Sequence, residues 1–377
     1  MGVWIGLAFS IAVILSTVGI MDGFERALRQ GLKKSSGDVS MQSRNGFFHV
    51  SNLLKEELKN SNITQYSPLI QTESFMIFND ESRGVVIKAI GPEYGKIVNL
   101  PLNISPQSAI IGSEIARINK IAVGDEIVLA FGSGGAEFKG MPALHRFKVE
   151  NIVTHGVFQK DARIIYIRLA DIQAIQRLST RVNMIALNVT PTAKNAGDDL
   201  KDIEEKIVDL RLRFEPDFYF KAYWREFGAL IEAVKTEKFM ISLILQLIVV
   251  ISVFNVLAFI YFINEKKSKE LFLFKALGMS KKSMNQLWIK LVFCLWIAAS
   301  VLAVLFVHLF RLMLLYLPFF ELPVEVYHMP RIDIFLGWQD YALIFALALV
   351  WMLLITYYLL RKLKNKSLLE GLRQEFV

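Results

Sequence analysis

The chain has almost no cysteine: one residue in 377, Cys294. A disulfide framework is therefore excluded, and any part that works outside the cytoplasm must hold together on its apolar core alone. Histidine is sparse as well, with His49, His145, His155, His308 and His328 far apart and at no metal-ligand spacing. No H-E-x-x-H, G-x-S-x-G or C-x-x-C occurs, so zinc hydrolysis, acyl transfer and dithiol exchange have no local signature. The glycine-rich run Gly132-Ser133-Gly134-Gly135 lacks the G-K-[ST] of a phosphate loop and reads as a flexible connection. These absences disfavour an enzyme.

What the chain has in quantity is apolar sequence, 54% of its residues, and its distribution decides the class. Four nearly uncharged segments, 3–21, 239–263, 291–310 and 341–360, are each long enough at about 1.5 Å per helical residue to cross a hydrocarbon layer of about 30 Å. The first has no basic leader, and Met21-Asp22-Gly23-Phe24 offers no signal-peptidase pattern, so it reads as an uncleaved span. The predicted fold class is a membrane protein: four transmembrane α-helices with a large mixed α/β domain inserted between helices 1 and 2. The boundaries are 1–22 for the first span, 23–238 for the domain with its stalk helices, and 239–377 for the remaining three spans. A cytoplasmic loop at 264–290 and a cytoplasmic C-terminal tail belong to the last part.

Orientation follows from the short flanks, because lysine and arginine beside a span stay in the cytoplasm. Asn264-Glu265-Lys266-Lys267-Ser268-Lys269-Glu270 follows span two, and Arg361-Lys362-Leu363-Lys364-Asn365-Lys366 follows span four. The connection between spans three and four carries Glu321, Glu325, Asp333 and Asp340, which suits the opposite side, so the large domain is external. The net charge of +8 is then mostly topogenic, with membrane lipid or a protein as further partners and no need of nucleic acid.

The external domain alternates in period. Residues 24–34 continue the first helix outward until Gly37 breaks it, and 38–42 alternate as a first strand. Ser51 caps a short helix. Strand-like runs recur at 74–78, 85–90, 126–129, 147–153, 164–167 and 185–189, with helices at 113–119, 169–177 and 198–212. A small sheet with helices on it is expected, and from Phe220 to Glu237 the period turns helical and leads into span two.

Met21-Asp22-Gly23-Phe24-Glu25-Arg26 at the close of the first span, Glu265-Lys266-Lys267 after the second and Lys275-Ala276-Leu277-Gly278-Met279-Ser280 beyond it resemble, in wording and order, the lipoprotein-releasing LolC/LolE permeases of the FtsX/MacB-like class of ABC transporter subunits. Met21-Asp22-Gly23-Phe24-Glu25-Arg26 is similar to that family's M-N-G-F-E-[RK]. The likeness continues through Arg83 to Pro92, Ile111 to Ala116, Val123 to Glu126, Phe147 to Val149 and Tyr223-Trp224-Arg225. It is densest from Glu237 to Ser280, and Leu369 to Glu375 resembles the closing E-A-L-R-x-E. The Y-P-[AS] that usually follows span four is replaced by Tyr357-Tyr358-Leu359-Leu360. Family members also usually carry a cytoplasmic helix ahead of span one, where here only Met1 and Gly2 stand.

The resemblance implies a non-catalytic permease subunit paired with a second copy or paralogue and with a LolD-like cytoplasmic ATPase. ATP and Mg would be held by that ATPase, and no cofactor by this chain. It implies lipoprotein cargo, drawn from the outer leaflet of the inner membrane and passed to a LolA-like periplasmic chaperone. Ile20, Met21, Phe24, Phe254 and Leu257 are the candidates for a greasy lipoprotein cavity between the outer halves of spans one and two, against ordinary helix packing or lipid contact. Glu265, Lys266, Glu270, Leu271, Phe274, Leu277 and Gly278 are the ATPase-coupling candidates, against a helix that merely lies in the membrane interface. Phe138, Lys139, Met141, Pro142 and Arg146 are the candidates for a chaperone-binding loop of LolC type, against an ordinary hairpin. The alternative function is an FtsX-like subunit that transmits force to a periplasmic cell-wall hydrolase.

Overall fold

A computed structural model of the chain describes residues 2–63, 65–79, 81–131, 143–189, 199–267, 270, 273–274, 277–316 and 334–363. They divide into two compact units: a helical one from residues 2–24, 232–316 and 334–363, and an α/β one from residues 25–231.

The helical unit contains four helices long and apolar enough to cross a membrane. They are α1 (Gly2–Ser36), α8 (Gly228–Lys266), α9 (Lys281–Tyr316) and α10 (Trp338–Leu363), with α1 and α8 running on into the other unit. Buried side chains share one core: Leu7, Ile11 and Leu15 of α1, Val249, Val253 and Val256 of α8, Val292, Ala299 and Ala303 of α9, and Ile344, Ala348 and Met352 of α10. Span one is the centre of this packing, with 56% of its apolar window buried against 28%, 22% and 22% for the others. Trp296 Nε1 donates to the Phe345 carbonyl at 3.0 Å, tying α9 to α10.

In the α/β unit the strands are β1 (Val39–Ser43), β2 (Phe48–His49), β3 (Gln65–Phe78), β4 (Glu81–Ile90), β5 (Ser108–Gly112), β6 (Glu126–Phe131), β7 (Ala143–Val153), β8 (Ile164–Arg168), β9 (Arg181–Val182), β10 (Met184–Asn188) and β11 (Phe218–Ala222). The helices are α2 (Asn52–Asn60), α3 (Tyr94–Val98), α4 (Ser113–Asn119), α5 (Phe158–Asp161), α6 (Leu169–Ile175) and α7 (Leu200–Phe214). Ser51 caps α2 as its sequence suggests, its side chain accepting from Leu54 N.

The sheet is larger than expected, with nine strands in the order β11-β1-β10-β3-β4-β8-β5-β7-β6. Its long strand β3 pairs with β10 at one end and with β6 at the other. Strands β3, β4, β8, β5, β7 and β6 therefore close on themselves, while β10, β1 and β11 extend from β3 as an open wing. Alternate residues fill the two sides. Met76, Ile87, Ile111, Leu129, Phe147 and Ile165 make one core, and Leu69, Ile90, Ile110, Tyr166 and Met184 face Tyr94 and Ile97 in another.

One expectation fails here. The helical period from Phe220 onward is interrupted, because 218–222 form β11 against β1 and a 3-10 turn follows at Tyr223–Phe227 before α8 begins. The cause is the partner strand: β1 offers an unpaired edge, and Phe220 and Ala222 bury on it while Tyr219 and Lys221 stay exposed. Where β1 begins, Lys33 of α1 bridges Asp38 at 2.8 Å and Asp199 at 2.6 Å. Tyr223 donates to the same Asp199 at 3.2 Å, so one buried carboxylate holds α1, α7 and the 3-10 turn together.

Candidate functional site

Within the helical unit, α1 and α8 run antiparallel, fixed by two polar contacts. Ser10 and Ser252 share a hydrogen bond of 2.5 Å between their hydroxyls, and Lys238 is ion-paired to Asp22. The apolar candidates fall at opposite ends of this pair. Ile20, Met21 and Phe24 lie around Asp22, at the end where Lys238 meets it. Phe254 and Leu257 lie 16 and 19 residues beyond Lys238, about 24 to 28 Å along the helix and past its middle. The structure therefore does not bring the five together between the outer halves of the spans; Phe254 is 58% exposed and lies two residues beyond Ser252, which meets Ser10 of α1. Ile20, Met21 and Phe24, each half-buried, remain as the outer cluster.

At the other end of α8 the cytoplasmic segment is exposed. Glu265, Lys266 and Glu270 face solvent, with Lys267 Nζ 2.5 Å from Glu270. Leu271, with Phe272, Lys275 and Ala276, lies outside the described residues. Phe274 and Leu277 are exposed, and so is Leu273, which sequence reasoning passed over. Leu277 N bonds to the Leu273 carbonyl at 2.9 Å and Met279 N to the Phe274 carbonyl at 3.0 Å. Gly278 between them has φ +92°, a left-handed conformation that glycine adopts without a Cβ clash and that closes a helical turn.

The third candidate is bounded in sequence by β6 and β7, which pair from Glu126↔Lys148 to Phe131↔Ala143. Phe138, Lys139, Met141 and Pro142 lie outside the described residues, in the connection between those strands. Arg146 is on β7, exposed, 3.7 Å from Glu126. Beside it an apolar row was missed in the sequence: Phe75 on β3 is opposite Ala130 on β6, which is opposite Leu144 on β7. Cross-strand partners share a face, and Phe75 and Leu144 are 59% and 58% exposed.

Residues 3–209 match the MacB-like periplasmic core domain, and residues 242–368 match the FtsX-like permease C-terminal domain. The chain belongs to the family of the MacB-like periplasmic core domain. With the FtsX-like module it is a LolC/LolE-like permease subunit of an ABC transporter, a multi-pass inner-membrane protein with its α/β domain in the periplasm. The lipoprotein-releasing system transmembrane protein LolC of Xylella fastidiosa (strain 9a5c) is 20% identical over 98% of this chain and 92% of its own length. LolC of Neisseria meningitidis serogroup B is 22% identical over 75% and 70%. Among solved structures, the periplasmic region of MacB from Actinobacillus actinomycetemcomitans covers 52% of this chain and 93% of its own at 13% identity, with a TM-score of 0.32.

The periplasmic domain of this permease subunit also gathers polar groups that looked unrelated in sequence. His155 Nδ1 lies 2.6 Å from Asp161, and its Nε2 lies 2.7 Å from the Tyr166 hydroxyl. Asp161 further accepts from the backbone N–H groups of His155 and Gly156. Burial pushes His155 down, against the opposing pull of Asp161. With the imidazole and carboxylate almost wholly buried, the cluster fixes the turn into α5 and offers no open position for a substrate. Among the described residues no group of His, Cys, Asp and Glu is arranged to hold a metal.

Proposed function

We propose that this permease extracts lipoproteins from the outer leaflet of the inner membrane and passes them to a periplasmic chaperone, driven by a separate ATPase that holds ATP and Mg. The observation that carries the reading is its alignment with LolC over nearly the whole of both chains. Physical need agrees: each acyl CH₂ moved into water costs about 0.8 kcal/mol, so several chains do not leave a bilayer without external work. The exposed Leu273, Phe274 and Leu277, closed off by Gly278, suit a short helix seated in an ATPase groove. On the periplasmic side, the exposed row of Phe75 and Leu144 beside Arg146 is an apolar surface that suits a lipid-carrying partner.

The test is release of a radiolabelled lipoprotein from proteoliposomes holding the permease, its second copy or paralogue and the ATPase, with and without chaperone. ATP- and chaperone-dependent release is expected. Leu277→Asp should lower it by about tenfold or more, because it places a charge where an apolar contact is lost (1.4 kcal/mol per tenfold,), with the periplasmic unit still folded. Release at the unmodified rate removes the coupling assignment. No release by the intact complex, with ATPase activity present, turns the reading toward an FtsX-like force transmitter.

A further inference from the structure

Two adjoining cavities of about 120 and 110 Å³ open on the sheet face that carries Tyr166 and packs against Tyr94 of α3, and both are lined by Gln71, Lys88 and Glu226. Every lining residue belongs to the α/β unit. Four cations border the space: Lys88 from β4, Lys160 from α5, Arg163 just after it and Lys221 from β11. Glu226, from the 3-10 turn, is the one carboxylate among the lining residues. It is half-exposed and bonded to Lys160 at 2.6 Å, while Arg163 has Glu73 at 3.9 Å outside the cavity.

Charge and burial do not balance here. Lys88 is 2% exposed and Lys160 6%, so neither ammonium is solvated, and a buried charge is costly unless paired. Lys88 Nζ donates to the Ser35 carbonyl at 2.5 Å and lies 3.5 Å from the Tyr94 hydroxyl. Both are neutral, and the third N–H has no acceptor among the described residues. Burial first, and Lys160 second, push Lys88 down to about 7, against the opposing pull of Glu226. Lys160 is lowered by burial as well, although Glu226 resists it.

We propose that the joined cavities bind a small oxyanion of the phosphate type, seated between Lys88, Lys160 and Lys221, with the side-chain amide of Gln71 as a further donor. The space is several times what one water requires, and lysine ammonium groups converging from three elements recognise a phosphate as point charges. A tetrahedral anion supplies the missing acceptor for Lys88 and the second negative charge that Glu226 alone does not provide. The same chemistry is offered by free phosphate and by the phosphodiester of an anionic lipid headgroup.

The full chain, purified in neutral detergent, distinguishes the sources. Its thermal midpoint is measured with inorganic phosphate against sodium chloride at equal ionic strength. In parallel, native mass spectrometry counts phosphatidylglycerol retained after extraction from vesicles of phosphatidylglycerol and phosphatidylcholine. Saturable stabilisation by phosphate is expected, weakened about tenfold in Lys88→Met (charged hydrogen bonds,) and less in Lys221→Gln. The exposed Lys221 can be changed without disturbing the core, so this variant decides if Lys88→Met fails to fold. Glu226→Gln should bind phosphate more tightly, because the internal carboxylate no longer competes. Phosphatidylglycerol held by the natural chain and lost from Lys221→Gln, with no response to inorganic phosphate, upholds the site and assigns it to a headgroup. Identical midpoints and lipid counts for the natural chain, Lys221→Gln and Glu226→Gln overturn the proposal.

Discussion

Lys88 shows how one side chain can serve a helix end and pay for it in proton affinity. Its ammonium meets the Ser35 carbonyl in the last turn of α1, where a cation complements the helix dipole. Tyr94 donates to the same carbonyl at 2.8 Å. Burial opposes the charge and brings the lysine from 10.5 to about 7. Between about pH 7 and 10.5 the unfolded chain therefore keeps a proton that the folded chain releases, so this group makes stability rise with pH across that window. Below about 7 both states are protonated and the full penalty applies. We expect the difference in unfolding free energy between the natural chain and Lys88→Met to change by up to about 1.4 kcal/mol per pH unit through the window and to level off below it. Taking the difference removes the pH dependence common to both chains and leaves that of Lys88 with the groups its charge acts on, Glu226 and His155. A difference independent of pH from 7 to 10 contradicts the buried, depressed lysine.

At the scale of elements, a close approach depends on Gly19. Its carbonyl accepts from Phe335 N at 2.9 Å, and a Cβ there would lie 2.5 Å from Ile334 Cγ2 and 2.9 Å from Leu336 Cγ. Gly19→Val should therefore lower the stability of the helical unit by about 1 to 3 kcal/mol, read as a lower thermal midpoint in detergent; an unchanged midpoint shows that the segment before α10 yields freely. Sequence patterns made the spans, the Ser51 cap, α4 and most strands legible, since each has a local cause in hydrophobic period or capping. They did not disclose β5, whose Ser108-Ala109-Ile110-Ile111-Gly112 holds only two β-branched residues among small ones, or β11, whose partner β1 is 175 to 183 residues away in the paired register. Phe220, Tyr223, Phe227, Ile231 and Val234 mimic a helical face, and only the strand pairing overrides it. Among the candidate residues, the stop at Gly278 was legible because left-handed backbone selects glycine. The separation of Phe254 from Phe24 was legible too, since 254 lies beyond the midpoint of 239–263; apolar composition had outweighed position. The convergence of Lys88, Lys160 and Lys221 had no local signal, because three elements supply it.

For the whole molecule, the question is which parts move as one when work reaches the membrane. Span one is the most buried of the four, and α1 is held to α8 near the middle by Ser10 and Ser252 and toward the outer end by Asp22 and Lys238. A pair fastened at two depths and packed along a shared core is expected to move as a rigid body, so that cargo is displaced by movement between subunits and not by separation of these two helices within one. The sparse cysteine makes this testable. In a Cys294→Ser background, Ser10→Cys with Ser252→Cys places two thiols at positions whose side chains already meet through a hydrogen bond between their hydroxyls. A membrane-permeant oxidant should link them within one chain, visible as a shift on non-reducing gels after cleavage between the two positions. Lipoprotein release by the oxidised complex should stay within about twofold of the reduced complex, because a rigid pair loses nothing when it is stapled (a twofold change is under 1 kcal/mol,). Loss of release on oxidation, restored by reductant, would mean that α1 and α8 part within the subunit during each cycle, and the cavity would then open between them.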